Sequence, residues 1–322
     1  MTSQAIKVND LIVEYTSSQG TIRAVNGLDL SISEGEVYAL LGENGAGKTS
    51  TVEVLEGHRS RVGGQVEILG IDPAAGGPCR RELRDQIGIV LQTSGIEAEI
   101  TPREALLLFS AVYRNPYSLS YVVERVGLGD FVDQRVGSLS GGQRRRLDLA
   151  VAVIGRPRVL FLDEPTTGFD PSARRNAWEL VRSLHSDGTT ILLTTHYLEE
   201  AEFLANRVGV ISRGEMLVEG PPQELQQAHG RSVMSVEIAG AGSLSDVEAS
   251  VAAVLDGISS TLAWQGARLL ITTEETTKVL ERITRWALST GADLSEWSIE
   301  RPSLEQVFLE LNADIDRRGG DD

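Results

Sequence analysis

The segment GENGAGKT, residues 42–49, follows the apolar run VYALL at 37–41 and leads into the helical pattern TSTVEVLEG. It matches G-x-x-x-x-G-K-[ST], in which glycines let the backbone fold around phosphate groups. In this pattern Lys48 is expected to supply positive charge to the β- and γ-phosphates, and the Thr49 hydroxyl to ligate Mg²⁺. A glycine-rich turn without a ligand is the alternative, but the flanking strand and helix favour a nucleotide-binding loop.

The bulk properties are those of a globular protein with room for two domains. The chain has 322 residues, of which 41% are hydrophobic and 24% charged, and its net charge is −16. No apolar run approaches the ~20 residues that cross a bilayer, and the N-terminus MTSQAIKVND lacks the apolar core of a secretion signal. The single cysteine, Cys79, excludes an internal disulfide and fits a reducing cytoplasm. The acidic balance argues against nonspecific nucleic-acid binding, which needs clustered Lys and Arg.

Residues 1–222 alternate between strand and helix patterns, which predicts an α/β domain with a largely parallel sheet. The apolar β-rich runs are LIVEY, VYALLG, IGIVLQ, VLFLDE, TILLTTH and RVGVISRG. The region from about 93 to 157 is mostly helical, as in REALLLFSAVY and SYVVERVGL. It is therefore predicted to be an all-helical subdomain inserted into the sheet domain.

A smaller domain is predicted after the proline pair at 221–222, because proline interrupts both helices and strand ladders. Its patterns run strand, helix, strand, strand, helix, strand, and this βαββαβ order is typical of a ferredoxin-like α+β fold. We place this accessory domain at 230–312, with Ser303 and Gln306 in capping-box spacing for a last helix. Residues 313–322 form a polar tail.

Two acids end the apolar strand RVLFLDE and supply the partner that the phosphate loop requires. Asp163 is expected to hold Mg²⁺ directly or through water, and Glu164 lies where a base would polarise an attacking water. The alternative is the solvated start of a loop. Delivery of both acids by an apolar strand favours the catalytic interpretation.

Two further polar residues end apolar strands of the same predicted sheet. Gln92 ends IGIVLQ and His196 ends TILLTTH, and in open α/β sheets ligands collect at the carboxyl ends of strands. Gln92 is predicted to contact Mg²⁺ or the lytic water, and His196 the γ-phosphate. Tyr15, which ends LIVEY, is predicted to stack on adenine, although aromatic residues in strands are also common packing elements.

A second segment, SLSGGQRRRLDLA at 138–150, places a serine and two glycines before a strongly helical run. Such a turn presents backbone N–H groups and a helix N-terminus, which suits an anion. The arginines at 144–146 are the only dense basic cluster, and we interpret them as a solvated helix face with local pairing.

At this point the sequence resembles the ATP-binding cassette (ABC) ATPases. The resemblance covers about the first 220 residues and rests on GENGAGKT, Gln92, LSGGQ at 139–143, VLFLDEPTTGFDP at 159–171 and His196, in the family order. It implies the P-loop ABC cassette fold, ATP as the nucleotide, Mg²⁺ as the metal and a head-to-tail dimer of two copies.

The resemblance also implies roles for particular residues. In the family the LSGGQ segment binds the γ-phosphate of ATP held by the second cassette, and the loop containing Asp170 crosses the same interface. The residues expected to act in this way on the partner's ATP are Ser140, Gly141, Gly142, Gln143 and Asp170. The expected catalytic residues are Lys48, Glu164 and His196, and the expected Mg²⁺ ligands are Thr49, Gln92 and Asp163. The expected ATP-binding set is Tyr15, Gly42, Glu43, Asn44, Gly45, Ala46, Gly47, Lys48, Thr49, Ser50 and Gln92.

Several kinds of ABC protein remain as alternatives. DNA-repair types carry long inserted coiled coils, and no sustained heptads appear here; translation factors carry two cassettes in one chain. A non-enzymatic module would be expected to lose Glu164 or His196. The ending RPSLEQVFLELN at 301–312 resembles drug- and antibiotic-export ATPases of the daunorubicin-resistance type. We therefore predict the motor of an exporter of a drug-like, antibiotic or lipid-like substrate; an importer ATPase or a soluble non-transport ATPase is the alternative.

The resemblance implies a separate membrane permease and a location on the inner face of the cell membrane. The segment TSGIEAEITPREALLLFSAVYRNPY after Gln92 holds more apolar residues than one helix face needs. Some are expected to form the core of the helical subdomain and the rest a cleft for a permease helix. The candidates are Ile96, Ile100, Leu106, Leu107, Leu108, Phe109, Val112, Tyr113 and Tyr117.

Overall fold

A computed structural model describes residues 3–17, 20–91, 95–229, 231–240, 243–300 and 303–308. The chain divides into two compact units, Met1–Pro222 and Gln223–Asp322. The strands of the first unit are β1 (Gln4–Ser17), β2 (Gly20–Ser33), β3 (Val37–Leu41), β4 (Gly63–Ile68), β5 (Ile87–Val90), β6 (Val159–Asp163), β7 (Thr190–Thr195), β8 (Arg207–Ser212) and β9 (Glu215–Gly220). Its helices are α1 (Lys48–Leu55), α2 (Gly77–Arg84), α3 (Pro102–Ser110), α4 (Leu119–Arg125), α5 (Gly141–Val153), α6 (Pro171–Ser186) and α7 (Leu198–Leu204). Helix α8 (Pro222–His229) begins at the division between the units.

The central sheet has six strands in the order β5-β6-β7-β3-β8-β9. All neighbours are parallel except β8 and β9, which are antiparallel. Every residue of β3, β6 and β7 is buried, as expected for strands covered on both faces. The parallel order brings the carboxyl ends of β5, β6, β7 and β3 to one edge of the sheet.

A second sheet, β2-β1-β4, is antiparallel and has three strands. The expectation of a largely parallel domain missed it: β2 was not among the predicted strands, although GLDLSIS alternates apolar and polar residues with the period of a half-buried strand. Leu28, Leu30 and Ile32 of β2 are buried. They share one hydrophobic core with Leu55 of α1 and Phe161 of β6, so the two sheets enclose the helix that follows the phosphate loop.

Between β5 and β6 the described residues form helices and turns. Besides α3, α4 and α5 there are two short 3₁₀ turns, Gly129–Phe131 and Val136–Ser138. Thr101 is the N-cap residue before α3 and Ser140 the N-cap residue before α5, each in a capping box with the residue three positions later. Such reciprocal bonds satisfy backbone N–H groups that a helix N-terminus leaves without partners. The start of α5 is thus defined by the LSGGQ sequence itself.

The second unit is built from β10 (Ser232–Ala239), α9 (Leu244–Val254), β11 (Ser260–Gln265), β12 (Arg268–Thr273), α10 (Thr276–Thr290) and β13 (Asp293–Glu300). Its sheet is antiparallel in the order β11-β12-β10-β13. Met234 and Ile271 of the sheet share a core with Val251 of α9 and with Ile283 and Trp286 of α10. The unit therefore has a hydrophobic core of its own.

Candidate nucleotide site

The phosphate loop turns from β3 into α1, and its glycines are required by close packing and backbone conformation. A Cβ on Gly42 would lie 2.4 Å from the carbonyl oxygen of Ile211, and one on Gly47 would lie 2.5 Å from that of Ala24. Gly45 has open space around it but a φ of +86°, a region that favours glycine. The loop conformation therefore depends on all three glycines.

Lys48 is the first residue of α1 and is only 5% exposed. Its Nζ donates to the carbonyl oxygens of Gly42, at 2.8 Å, and Glu43, at 3.0 Å. Burial lowers the pKa of Lys48, while the charges of Glu164 and Asp163 oppose that shift. The ammonium group is held inside the turn of the loop, and the acids after β6 are near enough to act on it electrostatically.

The rest of the predicted loop residues divide between surface and interior. Glu43, Asn44 and Thr49 are exposed, whereas Ala46 and Ser50 are buried. The exposed part of the loop and the hydroxyl of Thr49 are thus open to a ligand approaching from solvent.

The two acids occupy different environments at the end of β6. Asp163 is buried, and its Oδ1 accepts a hydrogen bond from Thr194 Oγ1 at 2.5 Å. Glu164 has a φ of +45°, a conformation that non-glycine residues adopt rarely and often at functional sites. Its backbone N–H is 3.1 Å from both the carbonyl oxygen and the Oγ1 of Thr194. Thr194 on β7, which sequence reasoning missed, therefore positions both acids.

The side chain of Glu164 has a contact at each carboxylate oxygen. Oε1 lies 3.4 Å from His196 Nδ1, and Oε2 accepts a hydrogen bond from Thr167 Oγ1 at 3.1 Å. His196 follows β7 and its side chain is 39% exposed, so the neighbouring strands bring these two predicted residues together. Gln92, after the adjacent strand β5, lies outside the described residues.

Tyr15, the predicted adenine contact, lies beside the helix of the phosphate loop. Its hydroxyl shares a 2.8 Å hydrogen bond with Ser50 Oγ. The guanidinium carbon of Arg59 lies 4.3 Å from the ring centroid, within the range of a cation–π interaction. Arg59 is in turn paired with Glu53 at 2.5 Å. Sequence reasoning did not identify Arg59.

The LSGGQ segment begins α5 at the surface. Ser140 Oγ accepts from the backbone N–H of Gln143 at 3.3 Å, and the Gln143 side chain accepts from the N–H of Ser140 at 2.8 Å. Asp170 begins α6 and accepts from the N–H groups of Ser172 and Ala173, both at 2.9 Å. Ser140–Gln143 and Asp170 line one open groove of about 1370 Å³, together with Glu164 and Thr167. The two segments predicted to meet a second copy thus share one surface of this chain.

The expectation of a solvated face at 144–146 is wrong for Arg145, which is buried. Its Nε donates to the carbonyl oxygen of Pro165 at 2.9 Å, and its Nη2 to that of Asp163 at 3.0 Å. Arg144 is exposed. The physical reason is that position 145 falls on the buried face of α5, four residues before Leu149, so its side chain meets carbonyls of the sheet domain.

A phosphate loop after β3, paired acids after β6 and a histidine after β7 meet at one edge of a parallel sheet. This arrangement defines a P-loop nucleoside triphosphatase, and the capped LSGGQ helix on the same unit narrows the class to ABC ATPases.

Comparison with known proteins agrees with this class. The family model described as "ABC transporter" matches residues 25–167. Daunorubicin resistance ATP-binding protein DrrA2 of Streptomyces coeruleorubidus is 38% identical over 297 residues, covering 91% of this chain and 91% of that protein. Nod factor export ATP-binding protein I of Burkholderia orbicola (strain AU 1054) is 44% identical over 207 residues, covering 62% and 67%. A dimeric, post-hydrolysis structure of the ATP-binding cassette MJ0796 bound to ADP and Pi aligns with a TM-score of 0.61 and 25% identity, covering 67% of this chain and 98% of that one.

The chain therefore belongs to the ABC transporter family, as an ATP-binding subunit. It is an ATPase, and both the family and the enzymatic activity predicted from the sequence are confirmed. No helix in the described part of the chain has the length and apolar character needed to cross a membrane.

Proposed function

We propose that the chain is the ATP-hydrolysing motor of an exporter that moves a drug-like, antibiotic or lipid-like substrate through a separate membrane permease. The observation that carries this proposal is the extent of the likeness to DrrA2. That match of 297 residues is longer than the first unit, Met1–Pro222, so it includes much of the accessory unit as well as the cassette. A motor of this kind works at the inner face of the cell membrane, where its permease lies.

In the proposed site the phosphate loop holds the triphosphate of ATP. Gly42, Gly45 and Gly47 keep the loop backbone in its turn, and Lys48 adds a positive charge fixed by two loop carbonyls. Local backbone dipoles and one ammonium group supply the attraction, which is why an acidic chain can bind an anionic nucleotide. Tyr15 offers a ring for the adenine.

The residues proposed as Mg²⁺ ligands are all oxygen donors, which is the donor type that this ion prefers. They are the exposed hydroxyl of Thr49, the carboxylate of Asp163 and the side-chain carbonyl of Gln92. When bound, Mg²⁺ would neutralise charge on the β- and γ-phosphate oxygens. The hydrogen bond from Thr194 holds the Asp163 carboxylate in a single orientation at the strand end.

Glu164 is the proposed general base for the attacking water. Thr167 and His196 contact its two carboxylate oxygens, and its backbone conformation is held by Thr194. A base held in this way can accept a proton from water in line with the γ-phosphate, while His196 contacts that phosphate.

A second copy of the chain completes the proposed site. The exposed N-terminus of α5 offers helix N–H groups and a positive dipole end to a phosphate, and Ser140–Gln143 with Asp170 would meet the ATP held by the partner. The dimeric cassette bound to ADP and Pi, to which 67% of this chain is similar, supports this arrangement.

The proposed permease-docking surface is formed by exposed apolar residues around α3. Leu107, Leu108 and Val112 are 54%, 66% and 76% exposed. Leu106 is buried and belongs to the core. The other candidates are half-buried: Ile96, Ile100, Phe109, Tyr113 and Tyr117. Because this segment follows Gln92 in the chain, we propose that Gln92 connects the bound permease helix with the ATP site.

We propose the domain division 1–222 for the ATPase domain, with a helical subdomain at about 93–157, and 230–312 for a ferredoxin-like accessory domain. The strand order β11-β12-β10-β13 with two helices supports the ferredoxin-like assignment. Ser303 and Gln306 make both hydrogen bonds of a capping box. The tail 313–322 lies outside the described residues. We assign this domain to dimer contacts or regulation.

The test is drug efflux from a sensitive bacterial host that expresses the chain with the membrane protein encoded beside its gene. Wild-type protein should lower cellular daunorubicin, whereas Glu164→Gln should not.

The double variant Leu107→Asp/Leu108→Asp should lose efflux and permease co-purification but still bind ATP, because the phosphate loop is untouched. Val62→Asp, at a valine 65% exposed just before β4 and outside the helical subdomain, is the control. Efflux that survives Glu164→Gln would contradict the motor assignment.

A further inference from the structure

The buried guanidinium of Arg145 contacts four carbonyl oxygens of the sheet domain. Nε donates to Pro165 and Nη2 to Asp163 and Glu164, at 2.9, 3.0 and 3.4 Å, and Nη1 donates to Leu91. A buried charge is costly unless its donors are paired, and the planar fork of arginine can serve several acceptors at once. These four carbonyl oxygens therefore require the guanidinium group of an arginine, because a lysine ammonium group could not bond to all of them.

The four acceptors belong to two neighbouring strand ends of the ATP site. Leu91 directly follows β5 and precedes Gln92 in the sequence, and residues 163–165 contain both acids, Asp163 at the end of β6 and Glu164 just after it. Arg145 itself lies on α5, little more than one helical turn after Ser140. One side chain therefore joins the LSGGQ helix to Leu91 after β5 and to the backbone of Glu164.

The neighbouring arginines show that this contact is particular to position 145. Arg144 donates to the carbonyl of Gly137 and Arg146 to that of Gly127, both of which lie in the helical region between β5 and β6. Among the hydrogen bonds that these three side chains make to described residues, those to the sheet domain come from Arg145.

The backbone of Glu164 is held from two sides. Its N–H donates to Thr194 on β7, and its C=O accepts from Arg145 on α5. With φ at +45°, the peptide adopts a conformation that persists only where surrounding contacts impose it. Any change in the contact with Arg145 acts directly on the backbone that aims the Glu164 carboxylate.

We propose that Arg145 is a positioning residue for ATP hydrolysis, which couples the placement of the LSGGQ helix to the backbone of Glu164 in the same chain. The proposal rests on the proposed roles of Glu164 and of the LSGGQ segment. When α5 engages the ATP of the second copy, the guanidinium transmits that placement to the Glu164 peptide. The alignment of each chain's own base then depends on the placement of its own signature helix.

The test compares Arg145→Gln and Arg145→Lys with wild type and with Arg146→Gln, which removes the same group one position along the same helix. Arg145→Gln should lower kcat by roughly 10²-fold, the typical effect of a misplacement of about 1 Å. The Kd for MgATP should stay within about threefold, because the phosphate loop holds the nucleotide. Arg145→Lys should be intermediate, since one ammonium group cannot serve all four carbonyls. Arg146→Gln should keep the wild-type kcat.

Several outcomes would overturn the proposal. These are a wild-type kcat in Arg145→Gln, an equal loss in Arg146→Gln, or a loss of MgATP affinity parallel to the loss of kcat. A fall in melting temperature without rescue by lysine would assign Arg145 a purely structural role and would likewise overturn it. The proposed function fails differently: in that case Glu164→Gln would hydrolyse ATP as fast as wild type does, whatever Arg145 does.

Discussion

The two halves of the proposed ATP site are built in opposite ways. In the phosphate-loop half, Lys48 and Asp163 are 5% and 8% exposed and are held by hydrogen bonds within the chain. In the signature half, Ser140 and Gly141 are exposed, and the Ser140 side chain is used in capping its own helix. The first half is a preformed cradle, whereas the second is a helix end presented to solvent.

This difference implies that one chain alone binds ATP, whereas hydrolysis requires two chains. A preformed cradle binds without paying to order its groups, so a single chain is expected to hold ATP. A helix N-terminus at the surface has an anion to contact only when the second copy supplies one. Hydrolysis is therefore expected to depend on association, and the comparison can be tested by damaging each half separately.

The largest effect is expected from Glu164→Gln. The amide cannot accept a proton from water, and general-base contributions are roughly 10²–10⁴-fold, so turnover should fall by about that factor. MgATP affinity should remain, because the cradle is intact, and size-exclusion chromatography should show an ATP-dependent dimer. Undiminished steady-state hydrolysis would refute the assigned role of Glu164.

The next largest effect is expected when two variants, each damaged in a different half of the ATP site, are mixed and complement one another. Lys48→Ala removes the ammonium group of the cradle, and Gly142→Asp places a carboxylate on the exposed N-terminus of α5. Each homodimer has two damaged sites, but a mixed dimer has one site with both lesions and one intact site. Mixing should restore ATP-dependent dimerisation above either variant alone. If no mixture dimerises better than its components, the assignment of the signature half to the partner's ATP loses its support.

The two halves also differ in how far the sequence could predict them. The positions of residues 42–49, Asp163 and Glu164 at strand ends could be predicted because the apolar runs VYALL and VLFLD mark β3 and β6; their roles stay predictions. The signature half was assigned only through the family resemblance. Its capping box was readable from Ser140 and Gln143, but a capped helix by itself specifies no ligand.

Arg145 shows what local patterns omit. A run of three arginines on a helix is most often solvated, yet the period of the buried residues Leu149 and Ala152 places position 145 on the same face. The signal was present, but the acceptors are carbonyls from two distant strand ends, which no local pattern specifies. The same holds for Thr194, whose role depends on the pairing of β7 with β6.

A smaller effect, on the stability of the fold, is expected from Glu56, which caps the C-terminal end of α1 in the phosphate-loop half. Burial, with Asp163 and Glu53 nearby, raises the pKa of Glu56 to about 8. The folded state then keeps a proton that the unfolded state releases at a lower pH, so the free energy of unfolding falls as pH rises through the window from about 4.5 to 8.

Replacing Glu56 with glutamine removes this proton linkage while keeping the shape of the side chain. Denaturant unfolding at pH 5.5 and pH 8 should show a stability advantage of Glu56→Gln that grows with pH by about 1–3 kcal/mol. Glu99→Gln, at an exposed acid of the helical region, is the matched control and should show no such growth. An advantage that shrinks between pH 5.5 and pH 8 would contradict the assigned pKa shift.

The smallest effect concerns the edge of the cradle, where Arg59 covers one face of Tyr15 at 4.3 Å. If adenine stacks on Tyr15 as proposed, the guanidinium on this face helps to hold the ring in place. A cation–π contact at an exposed site contributes about 0.5–1 kcal/mol, so Arg59→Ala should weaken MgATP binding by about two- to fivefold. Tyr15→Ala should weaken it more, because stacking on an aromatic ring contributes about 1–3 kcal/mol per base.

The double variant should lose no more than Tyr15→Ala alone, since without the ring Arg59 has nothing to orient. Titration with a fluorescent ATP analogue measures all three affinities. Additive losses in the double variant would show that Arg59 contacts the nucleotide independently of Tyr15.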